Sequence, residues 1–226
     1  VVAATAYGAG KAVDTQVANA RLLMRNFYSV LKTRETAEPV AFRSLVHGGI
    51  LHGGQLMDAQ YRLRPSSYFG TTSGYGRMFA SLPDAPRKVG VIGLGAGSII
   101  AYARKGDTFR FYEINPQVVD VAKREFTFIA DTPATIEVVL GDGRLSLERE
   151  ADQQFDVLAM DAFSGDSIPL HLLTREAMAI YMRHLKPGGV LAFQATNRFI
   201  DIRPVVAGLA ADYGLTAVLI SDEAGA

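Results

Sequence analysis

Between residues 89 and 115 the chain reads VGVIGLGAGSIIAYARKGDTFRFYEIN: an apolar run, a glycine-rich turn, a short helical stretch and a second apolar run that ends on Glu113. No other feature restricts the fold as much. A strand that enters a tight glycine turn, leaves through a helix and returns as a parallel strand is the opening unit of an open α/β nucleotide fold. Gly93, Gly95 and Gly97 let the backbone turn sharply and let a ligand lie against bare main chain. A carboxylate at the end of the following strand accepts hydrogen bonds from both hydroxyls of a ribose. The predicted ligand therefore contains an adenosine-like group. Taken alone, three glycines in a chain that has 22 of them also fit an ordinary tight turn, and both readings stand at this point.

The following segments distinguish ligand classes. Dinucleotide sites place a third glycine at the position held here by Ser98. A second acidic turn follows in IEVVLGDGRLSLERE, where Asp142 and Gly143 stand at a strand end and suit the edge of an adenine ring. A further strand, FDVLAMD, ends on Asp161. Predicted strands 89–93, 108–113, 136–140 and 155–160 thus bring Gly93, Glu113, Asp142 and Asp161 to one rim, where ligands bind in open α/β sheets. A lone aspartate at a strand end is more commonly a helix cap or turn former, but four such positions in register favour a site.

The run YEINP, the turn GDGR and the segment DAFSGDSIPLHLLTREA resemble the spermidine synthase-like group within the S-adenosylmethionine-dependent methyltransferase folds. The stretches RNFYSVLK, LVHGGILHGGQ and YFGTTSGYG are similar to the soluble domain of bacterial proteins that join such a domain to a membrane-embedded segment. The resemblance runs from about residue 25 to about residue 221. It implies a Rossmann-like sheet preceded by a small N-terminal antiparallel β element. The implied cosubstrate is S-adenosylmethionine or its decarboxylated form, and the implied partner is a small-molecule amine. By the same resemblance Asp161 deprotonates the attacking amine, Tyr75 stands near that amine, and Gln55 lines the donor pocket beside Gly93, Gly95, Gly97, Glu113, Ile114, Asp142 and Gly143. Asp166 is the second acid of the loop, displaced by two positions from the family pattern, with Ser164 in the family acid's place; capping the turn before Pro169 is its alternative role.

Composition narrows the classes further. The chain has no cysteine, which removes thiol catalysis, thiolate zinc sites and disulfides. Its 23 basic and 23 acidic side chains leave no net field to attract nucleic acid, and 49% hydrophobic residues suffice for a full core. The four histidines pair with no acids in a metal-ligand spacing, so no metal is expected. His47 and His52 flank glycines on the hairpins, where they either point into the mouth of the site or stand as edge-strand polar residues, the default reading. No apolar run reaches the roughly 20 residues of a bilayer span, and a cytoplasmic domain is expected, tethered to the inner membrane in a longer parent. The uncharged start VVAATAYGAG and the lack of a closing hairpin strand before SDEAGA both suit an excised piece.

Two regions are predicted. Residues 1–82 hold a weakly helical start, hairpins over 25–64 that include YRLR, and a helix from Ser73 to Leu82; residues 83–226 hold the nucleotide fold. Helices are predicted over 116–128, 143–150, 170–185 and 202–213, with KPGG at 186–189 stopping the third, and further strands over 190–195 and 215–220. Hairpin edges at the N-terminus suggest a homodimer.

Two departures from the family bear on the reaction. Ala96 occupies the place of an acid that resembles a counter-ion for the decarboxylated donor's ammonium. Arg77, two residues after Tyr75, stands where the family more often has an acid, and would favour a carboxylate over a polyamine. Aminopropyl transfer, methyl transfer from intact S-adenosylmethionine, and a non-catalytic nucleotide-sensing module all remain open.

Overall fold

The computed structural model describes residues 19–162, 169–196 and 200–222. Two sheets organise it. The first is an antiparallel meander of β1 (Leu22–Arg25), β2 (Val30–Thr36), β3 (Phe42–His47) and β4 (Ile50–Leu56), in chain order. The β3–β4 connection turns at Gly48, whose φ of 69° lies in the left-handed region.

The second sheet is parallel and contains β5 (Lys88–Ile92), β6 (Thr108–Glu113), β7 (Thr135–Leu140), β8 (Phe155–Met160) and β9 (Leu185–Phe193). Its spatial order is β7-β6-β5-β8-β9. The chain steps outward from β5 to β7 on one side and then crosses to β8 on the other, so a crevice opens where the β5 and β8 carboxyl ends diverge. Val89, Val91, Phe109, Phe111, Val157 and Ala159 are almost wholly buried. Central strands covered on both faces are apolar at successive positions, which explains the near-continuous hydrophobic runs in the sequence.

Six α-helices, besides three 3-10 turns, complete the described residues: α1 (Gly74–Ser81), α2 (Pro116–Glu125), α3 (Phe128–Asp131), α4 (Gly143–Arg149), α5 (Arg175–His184) and α6 (Arg203–Asp212). Local chemistry sets several of their starts. Ser73, Asn115, Asp142 and Thr174 each accept a backbone N–H at the head of α1, α2, α4 and α5.

Several boundaries differ from the sequence-based expectation. The predicted helix 116–128 is broken at Phe126, because the Thr127 N–H is taken by the Gln55 side chain at 3.0 Å. The predicted helix 170–185 splits into a 3-10 turn, Leu170–Leu172, and α5, which starts afresh on the Thr174 cap. The helix does stop just before KPGG, at His184, but the strand predicted over 190–195 begins earlier, so KPGG lies within β9. YRLR forms turns in place of a hairpin strand, and residues 215–220 form no strand because no neighbour pairs with them; Val218 and Leu219 are exposed. The weakly helical start lies outside the described residues up to residue 18, and β1 occupies its end.

Candidate functional site

A cavity of about 220 Å³ opens at the carboxyl edge of the parallel sheet, roofed by the N-terminal sheet. Its floor contains Gly93, Gly95, Glu113, Ile114, Asp142 and Asp161, and Gly143 borders it as well. These positions converge because parallel strands in register end together: Gly93 accepts its place from β5, Glu113 closes β6, and Asp161 follows β8. Leu172 and Val118 supply apolar wall, as an aromatic base requires.

Glu113 is buried, with one carboxylate oxygen on the Leu94 N–H at 2.9 Å and the other on the Asn115 N–H at 2.8 Å. Burial raises its pKa, and these backbone bonds oppose the rise. Each oxygen keeps a second lone pair, so a rigidly aimed carboxylate can accept two hydroxyls. Asp142 caps α4 through Oδ1, which accepts the Leu145 N–H at 2.9 Å, and its Oδ2 meets His171 Nε2 at 2.8 Å. Asp142 thus caps a helix and lines the cavity at once.

Asp161 lies at the divergence of β5 and β8. Its Oδ2 accepts the Tyr68 hydroxyl at 3.1 Å, while Oδ1 is shielded from water without a partner. Burial pushes the carboxyl up to about 7; the Tyr68 hydrogen bond opposes the shift and the Glu113 charge adds to it. Burial also raises the Tyr68 phenol well above its ordinary value, with the Asp161 charge adding to it, so the hydroxyl stays a donor.

Other expected positions lie off the cavity wall. Gln55 is fully buried, but its amide is engaged away from the cavity: Nε2 donates to Arg62 O and Thr127 Oγ1, and Oε1 accepts from Thr127 N. It ties β4 to the segment between α2 and α3 and does not line this cavity. The Tyr75 hydroxyl donates to Met160 O at 3.2 Å, which places it under the residue before Asp161 and off the wall. Gly97 shapes the loop at φ 81° and sits behind the wall. Arg77 is exposed, with Nε on Thr72 O, so it does not set the charge of the cavity. Asp166 lies outside the described residues.

Sequence reasoning missed Tyr68, which sits in the quoted stretch YFGTTSGYG but in a 3-10 turn that no periodicity marks. For His47 and His52 the default reading as edge-strand polar residues gives way to the other: both are buried and line the cavity, because the meander folds its β3–β4 end over the parallel sheet. Among the described residues no cluster of three metal-ligating side chains is found, and no helix is long and apolar enough to cross a membrane.

Comparison with known proteins places this geometry in context. Residues 74–206 match the spermine/spermidine synthase domain. A polyamine aminopropyltransferase of Vibrio vulnificus (strain CMCP6) is 34% identical over 123 residues, covering 51% of this chain and 40% of that protein. Putrescine N-methyltransferase 2 of Nicotiana tabacum is 28% identical over 127 residues, covering 54% of this chain and 36% of that protein. The chain thus spans less than half the length of either relative. Among solved structures, spermidine synthase from Thermotoga maritima superposes with a TM-score of 0.61 at 18% identity, covering 86% of this chain and 64% of that one.

Proposed function

Because the chain belongs to the spermine/spermidine synthase domain family, we propose that it transfers an alkyl group from a sulfonium nucleoside to a small amine, with Asp161 as the base. One observation carries this reading: a carboxyl group at the strand divergence, held up to about 7 by burial, with one oxygen on Tyr68 and the other free.

The chemistry demands little else. The sulfonium carbon is already activated, so catalysis rests on in-line placement of a nucleophile and on its deprotonation. A protonated amine has no lone pair to offer. Asp161 takes its proton, the nitrogen attacks the carbon next to sulfur, and the carbon–sulfur bond breaks to leave a neutral thioether. A base that titrates near neutrality is suited to this exchange. Glu113 suits the ribose hydroxyls, Gly93 and Gly95 allow close approach along bare backbone, and Ile114 and Asp142 suit the adenine.

Aminopropyl transfer from decarboxylated S-adenosylmethionine is the first form of this reaction. Methyl transfer from intact S-adenosylmethionine is the second, favoured by Ala96 in the glycine loop, where the resemblance expects an acid, and by similarity to a putrescine N-methyltransferase. Titration calorimetry with each donor, followed by mass spectrometry of turnover with putrescine, separates them: methylthioadenosine marks the first, S-adenosylhomocysteine the second. Asp161→Asn is expected to lose roughly 10²–10⁴-fold in turnover while donor affinity stays within about threefold. Wild-type turnover in that variant would remove Asp161 as the base. Binding of both donors without consumption of either, across a panel of amines, would favour a sensing module.

A further inference from the structure

Two cavity histidines have no part in the reaction just described. His47, the last residue of β3, and His52, in β4, are 8% and 9% exposed, and both line the cavity. Their ring centroids are 5.4 Å apart. The Nε2 atom of each is sealed from water and has no hydrogen-bond partner. A buried polar atom left unmet is costly, and a fold rarely retains two side by side without a ligand group to meet them.

The charges around the cavity indicate which group that is. Among the described residues its wall contains no lysine or arginine, whereas Glu113, Asp142 and Asp161 are present to meet positive charge. His171 is engaged with Asp142. His47 and His52 are then the nitrogen bases with atoms free for a negative group, and the unmet Asn115 amide N–H lies on the same wall. A carboxylate only accepts hydrogen bonds, so it can take an N–H from each ring. Burial lowers the pKa of His47 and takes His52 down to about 4, with the His47 charge contributing, so the pair is uncharged at neutral pH and does not repel a sulfonium.

The pair also stands on the loop that a donor must lie against. The His52 carbonyl accepts the Ala96 N–H at 3.0 Å, and a Cβ on Gly95 would fall 2.6 Å from that same carbonyl. We propose that His47 and His52 form a carboxylate subsite that selects a donor with an amino-acid end, intact S-adenosylmethionine, over its decarboxylated form. This assignment rests on the sulfonium-donor reading above.

Calorimetric titration of the full chain with both nucleosides tests it. The wild type is expected to bind intact S-adenosylmethionine more tightly than the decarboxylated form. In His52→Leu that affinity should fall about tenfold or more, the loss of a hydrogen bond to a charged group, while affinity for the decarboxylated donor changes less than about twofold. His52→Gln keeps an N–H donor and should retain most of the selectivity; with the wild-type preference it remains informative if the leucine variant does not fold. A wild-type preference for the decarboxylated donor, or equal losses for both donors in His52→Leu, overturns the subsite while leaving the donor site intact. If neither nucleoside binds the wild type, the sulfonium reading falls and takes the subsite with it.

Discussion

At Asp161 a single hydroxyl tunes a single carboxyl. The Tyr68 hydrogen bond stabilises the ionised form against a burial penalty that otherwise dominates. If Asp161 is the base, kcat/KM should rise with pH through about 7 in the wild type. Tyr68→Phe removes the bond, so this limb should move upward by about one pH unit, readable in a pH–rate profile; a limb that stays in place would mean that another group titrates there. The same burial has a thermodynamic consequence. Since the folded-state carboxyl is raised from 3.8 to about 7, the folded chain holds an extra proton between those values, and stability falls as pH rises through that window. Asp161→Asn should therefore unfold at a higher temperature than the wild type at pH 8, by an amount on the order of 1–2 kcal/mol, and gain less at pH 4. Equal melting shifts at both pH values would contradict the raised carboxyl.

The element that matters most is the turn after β5. Gly93 adopts φ 97°, and a Cβ there would lie 2.5 Å from the Asp161 carbonyl, so the glycine sets the spacing between the turn and Asp161. Gly93→Ala combines a disfavoured backbone angle with contact against main chain that cannot rotate away. It should cost about 1–3 kcal/mol of stability from the angle alone and weaken donor binding more than tenfold, measured by chemical denaturation and calorimetry on the same preparation. Unchanged donor affinity would show that the turn is structural. This segment was legible in the sequence because its chemistry is local: apolar run, glycines and acid follow one another. The break after α2 was not, because the group that interrupts the helix belongs to β4, which lies far away in the chain.

At the scale of the molecule, the N-terminal meander and the parallel sheet act as roof and floor, and a few polar contacts hold them in register. Asn26 Nδ2 donates to Asn115 Oδ1 at 2.6 Å, Arg43 Nη1 donates to Glu125 O at 2.6 Å, and Gln55 bridges β4 to Thr127. Gln55 satisfies three groups at once, Arg62 O, Thr127 Oγ1 and Thr127 N. Gln55→Leu leaves these unmet and should destabilise the fold by roughly 2–4 kcal/mol, seen in denaturant unfolding. Any loss of donor affinity should be recovered when the variant is assayed well below its melting temperature. A stable variant that cannot bind donor would instead return Gln55 to the pocket.

By itself the sequence determined the nucleotide fold, the Glu113 and Asp161 strand ends, the hairpins and most helix starts. Apolar periodicity, glycine turns and caps are consequences of covalent and nearest-neighbour chemistry. Only the tertiary structure decided which side chains face the cavity. Gln55, Tyr75 and Arg77 turn elsewhere, His47 and His52 line it, and Tyr68 reaches Asp161. Their placement depends on how one sheet docks over another, a relation between distant segments that leaves no mark in the local order of residues.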